Sequence, residues 1–433
     1  MLATARPTLT GRRLYIPRMT DCGAEALAAA FRSVGIDAVA LPPSDARTLE
    51  LGARHLGGEE CLPAKVTLGD FLKVIQEPAF DPEKAAFLMA TADGPCRFGQ
   101  YVPHLQKIFR TIGSPEIPLV SPTAAEGYQE LGDLGPKLAR TGWRAVVAAD
   151  ILRKLLLKTR PYEVSPGDTD AAYGVSLREL CATLETPGLR PRAQLEALLS
   201  TLNLIRDRFR GIPARYERGR LLIGIQGEIF CRMHEFSNDD LIRRLEGCGG
   251  EAWLSDISEW VWYCNREQED CLQRCGRRLS FAMLGTKLRN HIQHADEMAL
   301  RALFMGDLLG YEEPEDVQKV LRAGKDYLPH DGTSGEMVLS AGKVDYFFRK
   351  GADGIIDISP FSCMNGIVSE ALYPRVSQEH AGIPIKNFYF DGKEKDITGD
   401  LEVFLELARA YQERKPHPRV YPPYFGGGAH NGV

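Results

Sequence analysis

The chain has 433 residues, 44% hydrophobic and 26% charged, a soluble globular balance over more sequence than one core usually serves. A net charge of -5, with no basic stripe interleaved with aromatics, excludes nucleic acid from the reading. No run approaches the ~18 apolar residues of a membrane span, and the N-terminus lacks an apolar leader, so no membrane is expected and the cytoplasm is the expected compartment.

In chain order, Met1 to Arg13 reads as a frayed lead-in. Leu14-Tyr-Ile-Pro is a short strand, Arg18 to Cys22 a turn, Gly23 to Val34 a helix stopped at Gly35, and Asp37 to Leu41 the next strand, so a right-handed β-α-β unit is expected. Pro42 to Asp45 connects onward, and Gly57-Gly-Glu-Glu-Cys-Leu-Pro-Ala-Lys65 is a rigid loop before the helix Val66 to Ile75. Its backbone donors suit an anionic centre. Ala86 to Cys96 is an apolar strand, a proline turn and a cysteine at the exit. Phe98 to Ile112 reads as helix with a satisfied His104, Ile117 to Pro122 as strand, and Trp143 to Leu157 as an amphipathic helix. A mostly helical connector runs on to about Phe209.

At Arg218 the plan starts again: strand Leu221 to Gln226, exit Gly227 to Cys231, helix Asn238 to Cys248, stop Gly249, strand Glu251 to Leu254. Leu27 lies eight residues before Gly35 and Leu241 eight before Gly249, which reads as an internal duplication of fold. Ile355 to Ile358 is a buried strand stopped by Pro360, with Cys363 at the start of a helix. The expected architecture is α/β: two doubly wound, flavodoxin-like or Rossmann-like lobes with parallel sheets, an N-terminal lobe 1–145, a helical connector 146–215 and a C-terminal lobe 216–433. Strand-end loops of both lobes are expected to face one cleft.

Ten cysteines are too few for a disulfide scaffold, and thiols at strand exits read as metal ligands or reactive groups. Cys22, Cys61 and Cys96 fall at places comparable to Cys231, Cys264 and Cys363, whereas Cys181, Cys248 and the helical pair Cys271 and Cys275 read as packing residues. Sets of three or more thiolates select zinc or iron-sulfur clusters, and dispersed ligands suit a cluster better than a zinc knuckle. Arg18, Lys65, Arg97 and Arg232 stand near these thiols, where cations would stabilise an anionic centre. Glu228 and His234 are candidates for proton transfer. Trp253, Trp260, Trp262 and Tyr263 read as packing of the second lobe. No phosphate loop is present, and Asp331-Gly-Thr-Ser-Gly-Glu336 reads as a cap for a helix Glu336 to Arg349.

Tyr15-Ile-Pro-Arg-Met-Thr-Asp, Gly57 to Lys65, Gly94-Pro-Cys-Arg-Phe-Gly-Gln-Tyr101, Gly227 to Asn238 and Pro360 to Gly366 together resemble the 2-hydroxyacyl-CoA dehydratase and benzoyl-CoA reductase component superfamily. More closely, the chain is similar to the C-terminal portion of fused acyl-CoA dehydratase activase-related proteins, from about Leu14 to Lys415. The resemblance implies an oxygen-sensitive, low-potential [4Fe-4S] cluster between the lobes, held by Cys61, Cys96 and Cys363. It also implies a separate ATP-hydrolysing iron-sulfur activase that passes electrons to the chain under anaerobic conditions. The substrate so reduced or dehydrated would be an acyl-CoA or another small molecule, and a homodimer or heterodimer is expected. Where relatives often differ, this chain has Cys22, Cys231 and Cys264, and a second cysteine sometimes found after the first loop cysteine is Ala64. Six thiols would suit a double-cubane [8Fe-9S] cluster instead; a non-catalytic iron-sulfur carrier or regulator and a bilobal small-ligand binder are further alternatives.

Overall fold

The computed structural model describes residues 9–92, 96–121, 134–328 and 335–426. The first eight residues, Gly94, Pro95, Pro122 and Asp331 to Ser334, on which some of the expectations above fall, lie outside them. Contacts divide the chain into two compact units, Met1–Val146 with Glu179–Leu198, and Val147–Arg178 with Leu199–Val433. The helical stretch 146–215 is apportioned between them.

The first unit holds β1 (Arg13–Ile16), α1 (Asp21–Arg32), β2 (Ala38–Ala40), α2 (Ala46–His55), α3 (Leu62–Ile75), β3 (Ala85–Leu88), α4 (Tyr101–Thr111) and β4 (Leu119–Val120). The four strands are parallel in the order β2-β1-β3-β4, with Tyr15 beside Val39 on one side and Phe87 on the other. Local chemistry sets the boundaries. Thr20 caps α1 by accepting from Gly23 N at 2.9 Å, and Gly35 takes φ +85° in the turn toward β2. Phe71, Phe87, Phe109 and Leu72 fill the core on one face of the sheet, each fully buried side chain contributing about 1.5–3 kcal/mol.

Three helices follow, α5 (Gly135–Thr159), α6 (Asp168–Leu184) and α7 (Pro191–Arg210). The second unit then runs β5 (Leu221–Gly227), α8 (Ile229–Met233), α9 (Leu241–Gly247), β6 (Gly250–Leu254), α10 (Ile257–Arg274), α11 (Phe281–Ala302), α12 (Val317–Gly324), α13 (Met337–Arg349), β7 (Gly354–Pro360), α14 (Met364–Glu379), β8 (Ile385–Phe390) and α15 (Thr398–Gln412). Its sheet is again parallel, in the order β6-β5-β7-β8. Both sheets therefore read second, first, third, fourth strand, the same topology twice. In each, chain direction across the sheet reverses at the first strand, which opens a crevice at the carboxyl ends of the first and third strands. Among the described residues no helix is long and apolar enough to cross a membrane.

A second repeated device was not anticipated from sequence. Before the third strand of each sheet stands an antiparallel helix pair that meets at two glycines. A Cβ on Gly52 would come 2.1 Å from Lys65 O, and one on Gly69 1.9 Å from Thr48 O. In the other unit the figures are 2.3 Å from Val338 O for Gly324 and 1.9 Å from Val320 O for Gly342. Backbone abuts backbone, so no flexible side chain can yield. Gly342→Ala is expected to cost about 1–3 kcal/mol by urea unfolding. Gly285→Ala, in a helix interior with nothing near its Cβ, is expected to gain about 1 kcal/mol.

Asp70 of α3 is buried beneath the same pair, accepting from Ser44 Oγ at 2.6 Å and Thr48 Oγ1 at 2.7 Å. Burial pushes its carboxyl up to about 6, against the pull of those two hydroxyls. A carboxyl raised on folding stabilises in its protonated form: the contribution is complete below about pH 4 and is lost as pH rises through 6. Asp70→Asn is therefore expected to match the native protein at pH 4 and to exceed its stability at pH 7 by up to about 3 kcal/mol. Equal differences at both pH values would refute this.

Candidate functional site

In the first unit the loop bearing Cys61 and the turn bearing Cys96 are stitched together at the carboxyl ends of the strands. Cys61 is the N-cap of α3, followed by Pro63 in its first turn. Its Sγ lies 2.6 Å from the hydroxyl of Tyr101, the first residue of α4, and Phe98 packs edge-on against that ring at 5.3 Å. Arg97 Nη1 donates to Glu59 O, and His104 faces Glu60 at 3.8 Å. Gly99 sits where a Cβ would meet Ala92 O at 2.5 Å, which closes the turn after β3. Cys96 is itself the N-cap of the 3-10 turn Arg97–Gln100 that runs into α4.

In the second unit Cys363 is the N-cap of α14. The turn that delivers it is tight: Ser362 holds φ +64°, Cys363 N donates to Pro360 O at 3.0 Å, and a Cβ on Gly366 would strike Ser359 Oγ at 2.6 Å. All three cysteines share one backbone state, φ -70° and ψ 159° at Cys61, -69° and 136° at Cys96, -67° and 123° at Cys363, and none uses its sulfur as a cap. Burial pushes the Cys363 thiol up to about 12, opposed by the amides of Gly366 and Asn365 and reinforced by Glu228 and Glu336. A thiol so raised becomes a thiolate at neutral pH when a metal displaces its proton.

The other three thiols differ. Cys22 and Cys231 do occupy matching places, each in the first turn of the helix after the first strand of its sheet, and both are buried. Cys264 does not match Cys61. It lies in the middle of α10, packed against Tyr263, Val317 and Leu339, and burial raises its thiol. Counting back eight residues from the paired glycines Gly69 and Gly342, the position that corresponds to Cys61 is Ser334, outside the described residues. Cys248 is the C-cap of α9, and Cys181 sits in α6, where burial pushes its thiol up to about 12. Cys271 and Cys275 are exposed on α10, a correction to their reading as core residues. None of the ten cysteines is in a disulfide.

The motif Gly227 to Asn238 folds as a self-capped knot. Gly227 takes φ +111° where a Cβ would meet Ile358 O at 2.2 Å. Glu228 accepts from Phe230 N at 3.1 Å and Cys231 N at 2.8 Å, while burial holds its carboxyl above its ordinary range. His234 Nδ1 lies 2.7 Å from Ser237 Oγ, and Asn238 Nδ2 donates to Cys231 O at 2.9 Å. Arg18 is taken up by Leu41 O, Asp21 and Glu25 at 2.7–2.9 Å. Trp253 and Tyr263 are buried in the second unit, and Trp262 Nε1 donates to Glu297 at 2.7 Å.

Sequence reasoning missed a polar cavity at the carboxyl ends of β5 and β6. Arg232 is 3% exposed, and its Nε and Nη2 have no hydrogen-bond partner; Gln226 Oε1, Ser255 Oγ and Glu259 Oε2 are likewise unmatched. These groups line a space, with Glu336 and Lys343, just large enough for a water molecule, which would satisfy donors and acceptors together. Beneath it Lys343 bonds Glu259 at 2.6 Å and Glu313 at 2.7 Å, and Lys154 bonds Glu313 at 2.7 Å. Partners 30 to 159 residues apart leave no local signal.

Each unit, taken by itself, thus carries cysteine at helix N-caps beside the strand exits of a parallel α/β sheet. Compared with models of known families and with curated proteins, the chain matches none. Among the described residues no three or more His, Cys, Asp or Glu gather closely enough to hold a single metal ion.

Proposed function

We propose that the chain is an iron-sulfur protein of the 2-hydroxyacyl-CoA dehydratase and benzoyl-CoA reductase type. Its two units would bring their strand ends together around one [4Fe-4S] cluster held by Cys61, Cys96 and Cys363. The observation that carries the reading is that these three cysteines, dispersed over 302 residue positions, share the N-cap place and one extended backbone state beside the strand exits. A cubane spreads its ligands more widely than a single ion does, which suits cysteines on separate loops. The donor set fits the group: thiolates at helix starts, with first-turn amides oriented to stabilise negative charge on sulfur.

When bound, the cluster would supply one-electron transfer at low potential, charged by an ATP-hydrolysing activase and spent on a small substrate such as an acyl-CoA. The chain's own part is positional. The Tyr101 hydroxyl lies 2.6 Å from Cys61 Sγ, the amides of Asn365 and Gly366 face Cys363, and the Gly227 turn keeps β5 close to β7, with Glu228 near enough to act on the Cys363 thiol. Three thiols are favoured over six because Cys264 lies in the middle of α10 and is not a helix N-cap. Anaerobic purification followed by iron and acid-labile sulfide analysis tests the reading. Near-equal iron and sulfide, about four of each per chain, is expected for a [4Fe-4S] centre; a colourless protein without iron ends it.

A further inference from the structure

Helix α11 has its faces inverted. Its inner side meets α10 through hydrogen bonds: Trp262 to Glu297 at 2.7 Å, Asn265 to Gln293 at 2.9 Å, Asn290 to Glu269 at 2.6 Å, and Arg289 to Gln268. Its outer side is apolar. Phe281 is 94% exposed, Leu284 64%, Leu288 59% and Met298 49%, and Met305, one turn beyond the helix end, is 71%. With His291, Ala295 and Ala302, also exposed, these positions follow the alternating steps of three and four residues that make an a/d heptad seam, seven positions on the helix with Met305 continuing the spacing in the turn after it. A surface helix ordinarily turns such a stripe to its own core. Here the stripe is left outside.

We propose that this seam pairs antiparallel with the same helix of a second copy of the chain, as a two-stranded coil. The 3.5-residue spacing selects a helix as the occupant, since only a helix presents knobs at that period. Side-chain size selects a second copy and its direction. A two-fold axis between His291 and Ala295 sets Phe281 against Met305, Leu284 against Ala302, Leu288 against Met298 and His291 against Ala295, so each large residue meets a small or flexible one. A parallel pair would set Phe281 on Phe281 and Ala295 on Ala295, overfull at one end and hollow at the other. The 22-residue helix is ~33 Å long. Covering its whole seam is on the scale of the roughly 800 Å² per partner of a stable interface.

Sedimentation velocity of the full chain over a dilution series tests the pairing. The native protein is expected at twice the chain mass, and Leu284→Glu with Leu288→Glu at the chain mass with an unchanged far-ultraviolet circular dichroism spectrum, because both side chains point away from the core. Direction is tested by disulfide capture with oxidised glutathione in a Cys271→Ser, Cys275→Ser background. Leu288→Cys mixed with Met298→Cys is expected to cross-link, and Leu288→Cys alone is not. A native monomer, a dimer indifferent to the two glutamates, or Leu288→Cys cross-linking to itself overturns the proposal.

Discussion

Glu313→Ala is expected to lower the unfolding free energy by about 3–5 kcal/mol, the cost of stranding buried charge. Glu313 lies between two lysines, accepting from Lys154 on one oxygen and Lys343 on the other, both at 2.7 Å, with Trp253 Nε1 at 3.2 Å. Lys154 and Lys343 are buried, so water cannot replace the lost carboxylate. Burial alone would raise the Glu313 carboxyl, but the two ammonium groups overcome it and hold the group well below the usual carboxylate range. A depressed carboxyl stabilises when ionised: its contribution is complete above about pH 4.5 and fades only as pH falls toward its low native value. The deficit of Glu313→Ala by urea unfolding should therefore be constant from pH 5 to pH 8. A deficit under about 1 kcal/mol, the range of surface ion pairs, would show that the network is solvated in solution.

The strand exits were legible because they are written locally. β-branched or aliphatic runs followed by proline or glycine and then cysteine gave β3 and β7 and the helices after them, and the glycine stops at Gly35 and Gly249 both take positive φ. Pro360, expected to stop its strand, is the last residue of β7. Trp143 to Leu157 is the C-terminal part of a longer helix, α5, which already begins at Gly135 and Pro136, two residues that do not signal a helix start by periodicity.

What stayed hidden depends on meetings between distant residues. Helix α2 falls between the expected connection Pro42 to Asp45 and the loop from Gly57, and it rests on an Asp45–Thr48 capping box and on the glycine crossing with α3. The likeness of Cys264 to Cys61 was drawn from order along the chain, yet the second unit inserts the whole α10–α11 arm between β6 and the glycine-paired helices. Order is conserved there; position is not. Burial of charge was the other blind spot, because Lys154, Glu259, Glu313 and Lys343 each look like ordinary surface residues until the fold assembles them.

Cys61→Ala, Cys96→Ala and Cys363→Ala are each expected to bring the iron content of anaerobically purified protein to near zero. Removing one of three thiolates from a cubane opens a second iron to solvent and thiols, and the cluster dissociates instead of persisting at two-thirds occupancy. The same substitution at Cys271 or Cys275, both exposed, should leave iron unchanged. Cys22→Ala and Cys231→Ala separate the two cluster types. With three ligands, iron is retained and only stability drops, as expected for small cavities in buried first turns. A six-thiol centre would lose iron in both. Circular dichroism of each variant guards against misfolding, which is a mild concern at Cys61 and Cys96 because neither sulfur caps its helix. Retention of full iron in Cys363→Ala with native spectra would remove Cys363, and the second unit with it, from the proposed ligand set.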